Sequence, residues 1–152
     1  MRYMMLGCAA LVLSACAKNQ DQGSDRDTTP VAASQAPVSL DAFAGRWRVR
    51  AFNDAGDSIV GYELHATSDT AGWTLVFAGR NPIPVRVATV GGQLTFAAGP
   101  YESVLRRGVQ VRVQGTAHLE GDSLVGRTIA RYTTTGADSV LRIRTVGRRV
   151  AQ

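Results

Sequence analysis

Residues 40–152 of this chain contain no cysteine and no lysine, and aromatic residues make up only 7% of the whole sequence. Both cysteines, Cys8 and Cys16, lie near the N-terminus, so the rest of the chain can form no disulfide, catalytic thiol or cysteine metal site. Long stretches rich in Leu, Ala, Glu and Lys are also missing, which argues against a helical domain. The 16 glycines and many Val, Thr and Arg residues instead favour turns and strands.

Most of the positive charge lies after residue 40. The net charge of the chain is +5, and residues 40–152 carry arginine as their sole basic residue type apart from histidine. A basic domain can be attracted to anionic lipid or to cell-wall polymer, because positive potential draws such surfaces regardless of sequence. The alternative is that the arginines form a solvated surface without a partner.

The first 16 residues have the composition of a bacterial export signal. Arg2 precedes an apolar stretch over residues 4–13, which is too short to span a membrane. The sequence Leu13-Ser14-Ala15-Cys16 follows, and it resembles the lipobox of bacterial lipoproteins. That resemblance implies removal of a signal peptide, lipidation of Cys16 by acyl chains such as palmitate, and, because Ala17 follows, an outer-membrane anchor facing the periplasm.

Residues 16–39 are predicted to be a lipidated cysteine followed by a disordered tether. They are rich in Asp, Gln, Ser, Thr, Ala and Pro, and such a segment cannot bury enough apolar surface to order itself. A flexible coil of this length spans roughly 27 Å, enough to hold a domain clear of a bilayer. The predicted organisation is a signal peptide over residues 1–15, the tether over residues 16–39, and one folded domain over residues 40–152.

Short alternating runs, broken by Gly, Asp, Asn and Pro, predict nine candidate strands in the folded domain. They cover residues 45–53, 57–66, 72–78, 83–90, 92–98, 101–106, 109–120, 123–133 and 139–147. The connections are too short for parallel crossovers and therefore require antiparallel neighbours. We expect an all-β, up-and-down meander of eight to nine strands that closes into a small barrel, because closure removes the exposed edges that a sandwich retains.

The start of the first predicted strand carries a recognisable motif. Gly45-Arg46-Trp47, preceded by Phe43-Ala44, resembles the Gly-x-Trp opening of lipocalins and related calycin barrels. In that family the tryptophan closes the barrel bottom and an arginine of the last strand packs across it, a role that the resemblance implies for Arg142 or Arg144. The chain departs from the family in lacking a second lipocalin motif and a C-terminal helix. Alternatively, the tryptophan is simply a core anchor beside a flexible glycine.

Aromatic residues on the predicted buried face indicate a possible ligand site. They are Trp47, Tyr62, Trp73, Phe77 and Phe96. In a hollow barrel these side chains would line a site for a small apolar or amphipathic ligand. The alternative is a solid barrel, in which case the protein is a structural or interaction lipoprotein whose basic exterior contacts envelope polymer or a partner protein.

Arginines alternate along the first and last predicted strands. Arg46, Arg48 and Arg50 lie on the first, and Arg142 and Arg144 lie on the last. The two stripes become neighbours if the barrel closes. They form either an anion-binding surface or an outward face that keeps a sheet edge soluble. Aromatic residues do not alternate with them as in a single-strand platform, so nucleic acid is not expected as a partner.

Two further sequence patterns resemble functional motifs but lack the residues that such sites require. Gly121-Asp122-Ser123-Leu124 spells the signature block of GDSL esterases, but no histidine follows it and no βαβ alternation surrounds it. Glu63 with His65, and His118 with Glu120, could bind a metal together only on adjacent strands, and such residues are common on exposed faces. We therefore predict no catalytic role, no metal site and no cofactor.

Overall fold

The computed structural model describes residues 38–151, in which eight strands follow one another around a closed barrel. The strands are β1 (Gly45–Phe52), β2 (Ser58–Ala66), β3 (Thr74–Val76), β4 (Ile83–Val90), β5 (Gln93–Glu102), β6 (Gln110–Glu120), β7 (Ser123–Tyr132) and β8 (Val140–Arg149). Two 3-10 helices, Leu40–Ala42 and Ala137–Ser139, complete the fold. The predictions of an all-β class, an up-and-down order and a closed barrel are confirmed. The predicted lipobox with Cys16 and the predicted tether up to residue 37 lie outside the described residues.

Pairing of the first strand with the last closes the barrel. β1 pairs antiparallel with β8 from Trp47 opposite Arg149 to Phe52 opposite Arg144. Every other pair of neighbours is also antiparallel, and each is consecutive in the chain. The prediction that closure makes the two arginine stripes neighbours is therefore confirmed.

In place of two of the nine predicted strands, residues 92–98 and 101–106, the barrel has the single strand β5, which ends at Glu102, and residues 103–106 lie in a loop. The sequence predicts a break at Gly99-Pro100, and that prediction is wrong, because β5 runs through both residues. Its register with β6 shifts between Ala98 and Tyr101. A bulge of this kind accommodates a proline that has no N–H to donate and a glycine with a φ of 99°.

β3 is much shorter than predicted. The alternation favours a strand over residues 72–78, but only Thr74–Val76 pairs with its neighbours. The chain turns on both sides of this strand: Trp73 Nε1 donates to the Asp69 carbonyl at 2.7 Å, and the Arg80 N–H donates to the Phe77 carbonyl at 3.2 Å. β3 is consequently the shortest strand of the barrel wall.

Alternation places one face of every strand in a common core. Trp47, Trp73, Phe43 and Leu94 are the largest fully buried side chains. The 3-10 helix Leu40–Ala42 and Phe43 cover the end at which β1 begins, which we call the closed end. The opposite end, which we call the mouth, carries the loops of residues 53–57, 77–82, 103–109 and 133–139. Inward residues therefore form one core, and outward residues form the solvent face of the barrel.

Candidate functional site

The five aromatic residues predicted to bind a ligand all belong to the core. Trp47, Trp73 and Phe77 are buried, and Tyr62 and Phe96 are partly buried against the same cluster. Tyr62, Trp73 and Phe96 line an internal cavity, with aliphatic side chains as their neighbours. The cavity measures about 30 Å³. This volume accommodates water, whereas ligand pockets occupy hundreds of cubic ångströms. Ligand binding by these residues stays a prediction.

At the closed end, an arginine packs across Trp47, but it is Arg149 and neither of the two predicted residues. The Arg149 guanidinium carbon lies 4.2 Å from the centre of the Trp47 ring. Arg149 also donates to the Ala42 carbonyl at 2.9 Å and to the Ala44 carbonyl. Trp47 Nε1 donates to the Phe43 carbonyl at 2.7 Å. The last strand is thereby joined to the segment that covers the closed end.

The direction of side chains along β8 explains why the predicted arginines do not reach Trp47. Arg142 and Arg144 lie on the outward face, where Arg144 stacks on Phe52 with its guanidinium carbon 4.7 Å from the ring centre. Arg149 continues the inward series of β8 and lies directly opposite Trp47. Gly45 leaves room for it, because a Cβ at residue 45 would lie 2.9 Å from Arg149 Nη1.

Replacing Arg149 by alanine is expected to destabilise the barrel by about 2 kcal/mol. The variant loses a cation–π contact and hydrogen bonds that hold the covering segment. Chemical denaturation followed by circular dichroism measures the change. Arg148→Ala is the matched control, because Arg148 is the adjacent outward residue opposite Arg48, and its loss should change stability by less than about 0.5 kcal/mol. Equal losses in the two variants would contradict the role assigned to Arg149.

An aromatic cluster fills the mouth. The ring centroids of Tyr62 and Phe77 are 5.3 Å apart, and those of Phe77 and Tyr101 are 6.2 Å apart. Arg106 stacks on Tyr132 with its guanidinium carbon 3.9 Å from the ring centre. Burial, together with the neighbouring Tyr132, raises the pKa of Tyr101 to about 12, and burial raises the pKa of Tyr62 further still. Both phenols therefore stay neutral at physiological pH, and the charge near this cluster comes from the arginines of the mouth loops, such as Arg106.

The outer surface of β1, β7 and β8 is strongly basic. Its exposed arginines, apart from Arg46, form what we call the basic face: Arg48, Arg50, Arg127, Arg131, Arg142, Arg144 and Arg148. Several of them oppose another arginine directly across a strand pair. The opposed pairs are Arg48 with Arg148, Arg127 with Arg144, and Arg131 with Arg112 of β6. Like charges in this position destabilise a sheet.

Little negative charge compensates the basic face. β1, β7 and β8 contain no aspartate and no glutamate. Within residues 38–151, the one arginine–carboxylate ion pair joins Arg46 to Glu63 of β2, with a distance of 2.7 Å. A surface depression of about 480 Å³ is bordered by Arg48, Arg50 and Arg148, with Val146 between them. Guanidinium groups in such an arrangement can bind phosphate or carboxylate in bidentate fashion.

The two histidine–glutamate pairs do not meet. His65 lies 3.3 Å from Glu63 on β2, and His118 lies 2.8 Å from Glu120 on β6. β2 and β6 are four strands apart in an eight-stranded barrel and therefore lie on opposite sides. No group of three or more His, Cys, Asp or Glu side chains suited to a metal occurs in the part of the chain that the structure describes.

Ser123 begins β7 on its outward face, opposite Glu120 and Arg148. Its hydroxyl forms no hydrogen bond with His118 or Glu120 within residues 38–151. A serine nucleophile requires such a bond to a base and an oxyanion site close by. The position fits the start of a strand after the Gly121 turn.

Some residues of the basic face could not be singled out from the sequence. Arg127, Arg131 and Arg148 lie outside the predicted stripes, although outward alternation along β7 and β8 is the signal that includes them. Their grouping with β1 depends on closure. The sequence therefore predicts the stripes at the two ends of the domain but not the continuous face that joins them.

The barrel is compatible with the lipocalin-like architecture that Gly45-Arg46-Trp47 implied, including a last-strand arginine across the tryptophan. None of the helices in residues 38–151 has the length and apolar character needed to cross a membrane. Comparisons of the chain with models of protein families, with curated proteins and with solved structures found no match.

Proposed function

We propose that this chain is a lipid-anchored protein of the bacterial envelope whose barrel lies with its basic face on the anionic lipid surface of a membrane. The anchor is Cys16, and the membrane is the outer membrane, on its periplasmic side. The observation that carries the proposal is the run of arginines across β7, β8 and β1, with arginines directly opposed across strand pairs. Like-charge pairs of this kind destabilise a sheet, and such destabilising features are expected where a surface serves a function.

The geometry favours the exterior of the barrel over its interior. The internal cavity measures about 30 Å³, far below the volume of a typical ligand pocket. The basic face, in contrast, runs along neighbouring strands and can meet a flat surface side-on. Each arginine near an anionic bilayer contributes about 1 kcal/mol of attraction. An acyl anchor combined with a basic patch gives firmer membrane binding than one acyl chain alone.

Anchoring at Cys16 is tested by feeding producing bacteria a clickable palmitate analogue. The chain should incorporate the label, and Cys16→Ala should abolish incorporation, because the lipobox cysteine is the residue that is modified. Cys8→Ala is the matched control, since it removes the other cysteine of the chain, and it should label like the parent. Labelling that survives Cys16→Ala, or no labelling of the parent, would contradict the anchor.

Docking by the basic face is tested with residues 16–152 carrying Cys16→Ser, which we call the unlipidated chain. It should sediment with vesicles that contain phosphatidylglycerol but not with phosphatidylcholine vesicles, and its affinity should fall as salt rises. The double variant Arg142→Gln and Arg148→Gln should bind roughly 10-fold to 30-fold more weakly.

The matched control removes two arginines elsewhere. Arg86 lies on β4, on the opposite side of the barrel from β8, and Arg107 lies in a mouth loop. Arg86→Gln with Arg107→Gln changes the net charge equally and should bind nearly as tightly as the parent. Equal weakening in both double variants would show attraction by net charge alone and contradict the proposal. Tighter binding to soluble polyglutamate than to the vesicles would identify an anionic polymer as the partner instead.

A further inference from the structure

The wall of the barrel is incomplete beside the first half of β2. β3 pairs with β2 only over residues 63–65. Residues 58–62 of β2, which we call the β2 edge, pair with β1 on one side and have no strand partner on the other side among residues 38–151. Backbone N–H and C=O groups of this stretch therefore face a gap, as at any unpaired edge of a sheet.

A groove of about 860 Å³ follows the β2 edge. Its opposite wall is the turn after β3, which includes Arg80 and Asn81. Gly61 leaves the groove open, because an added Cβ would find one atom within 4 Å, a backbone oxygen 3.7 Å away. Phe77 turns inward against Tyr62 and seals the core beneath the groove. The groove therefore has space for an added chain without exposing the core.

Positive charge borders this groove. Arg48 and Arg50 stand on one side and Arg80 on the other. The Arg80 guanidinium donates to the carbonyl oxygens of residues 102 and 103, which fixes its position. Glu63, the acidic residue that borders the groove, accepts a hydrogen bond from Arg46 at 2.7 Å. That bond holds the pKa of Glu63 below its ordinary value. The negative charge of Glu63 is therefore already paired with Arg46.

We propose that the β2 edge binds an extended acidic peptide segment, which adds as a strand beside residues 58–62 with carboxylates toward Arg48, Arg50 and Arg80. Backbone pairing with a free sheet edge supplies affinity in this mode of recognition, and side-chain charge selects the partner. The edge is as long as a typical short strand. The walls on both sides admit a single extended chain more readily than a folded surface.

The probe is a capped peptide of alternating Glu and Val, about ten residues long, which matches the alternation of a strand. Amide hydrogen exchange in the unlipidated chain is followed by NMR. At saturation the peptide should slow exchange within residues 58–62 about 10-fold or more, because new backbone hydrogen bonds protect amides. Two control peptides test the mechanism: alternating Lys and Val reverses the charge, and the Glu–Val peptide methylated at every backbone nitrogen lacks the N–H donors. Neither should protect these residues.

Variants of the protein test the contribution of charge. Arg50→Gln should weaken binding of the Glu–Val peptide about 5-fold, whereas Arg142→Gln, on the basic face away from the groove, should leave it unchanged. Failure of the Glu–Val peptide to protect residues 58–62, or equal protection by the N-methylated peptide, would overturn the proposal. Protection that appears without peptide and grows with protein concentration would identify a second copy of the chain as the occupant and would also overturn it.

Discussion

Gly115→Ala is expected to cost more than about 3 kcal/mol of folding free energy and to leave little folded barrel. Gly115 lies in β6, between Phe96 of β5 and Thr128 of β7. An added Cβ would lie 2.2 Å from the Arg127 carbonyl oxygen and 2.7 Å from Phe96 Cζ. The first of these atoms is backbone, so relief requires displacement of a strand that is paired along its whole length. Overpacking of this kind destabilises a core strongly, and a domain has only about 5–15 kcal/mol in total.

Gly61→Ala is the matched control for this substitution. Gly61 also lies within a strand and has no positive φ, but its added Cβ meets one oxygen at 3.7 Å. Its midpoint of urea unfolding, measured by circular dichroism, should lie close to that of the parent. Unfolding of Gly115→Ala at the same urea concentration as Gly61→Ala would contradict a steric conflict at the β6–β7 contact.

Trp47→Ala is expected to lower the free energy of unfolding by about 3–5 kcal/mol. The indole is fully buried, stacks against Arg149 and donates a hydrogen bond to the Phe43 carbonyl. Its removal leaves a cavity and an unpaired carbonyl at the closed end, and it frees the covering segment. Circular dichroism is again the suitable probe, because fluorescence would lose one of the two tryptophans.

One further variant tests the hydrogen bond of Trp47, and a second serves as a control at an exposed residue. Trp47→Phe keeps a ring for Arg149 but loses the hydrogen bond, so the expected loss is smaller, about 1–2 kcal/mol beyond any packing change. Val90→Ala, at a large apolar residue that is 63% exposed, should be nearly neutral. Trp47→Ala and Val90→Ala with the same unfolding midpoint would show that the closed end does not stabilise the barrel.

Alternation of apolar residues was sufficient to predict most of the fold. It identifies which face of a strand is buried, and the short connections determine that neighbours are antiparallel. It does not report whether a strand has a partner, which is why β3 was predicted too long. Turn residues are also ambiguous, because Gly99 and Pro100 end strands in most settings but here lie in a bulge within β5.

The contacts at the closed end and within the basic face could be predicted only in part from the sequence, because both depend on strand register and on closure of the barrel. The resemblance to lipocalins implies that an arginine of the last strand covers Trp47, but the assignment of this role to Arg142 or Arg144 is wrong, because Arg149 fills it. The predicted strand ends at residue 147, whereas β8 continues to Arg149. Likewise, sequence spacing cannot reveal that Arg127 and Arg144 lie directly opposite each other.

The small internal cavity and the basic exterior together favour the outer surface as the binding site of this protein. Small barrels can hold a ligand or fill their interior with side chains. Here the aromatic residues of the core and the mouth fill it, and the cavity that remains measures about 30 Å³. Within residues 38–151, the arginines of the basic face form no ion pair with a carboxylate. We therefore propose that this barrel recognises anions by its outer wall.

The most direct test of this claim is an NMR measurement of which face meets the membrane. The unlipidated chain is mixed with nanodiscs containing phosphatidylglycerol and a lipid whose headgroup carries a paramagnetic label, which broadens nearby amide signals. Signals around Arg142 and Arg148 should broaden strongly, and those around Arg86, on the opposite wall, should stay sharp. Broadening centred on β4, or equal broadening around the whole barrel, would contradict docking by the basic face.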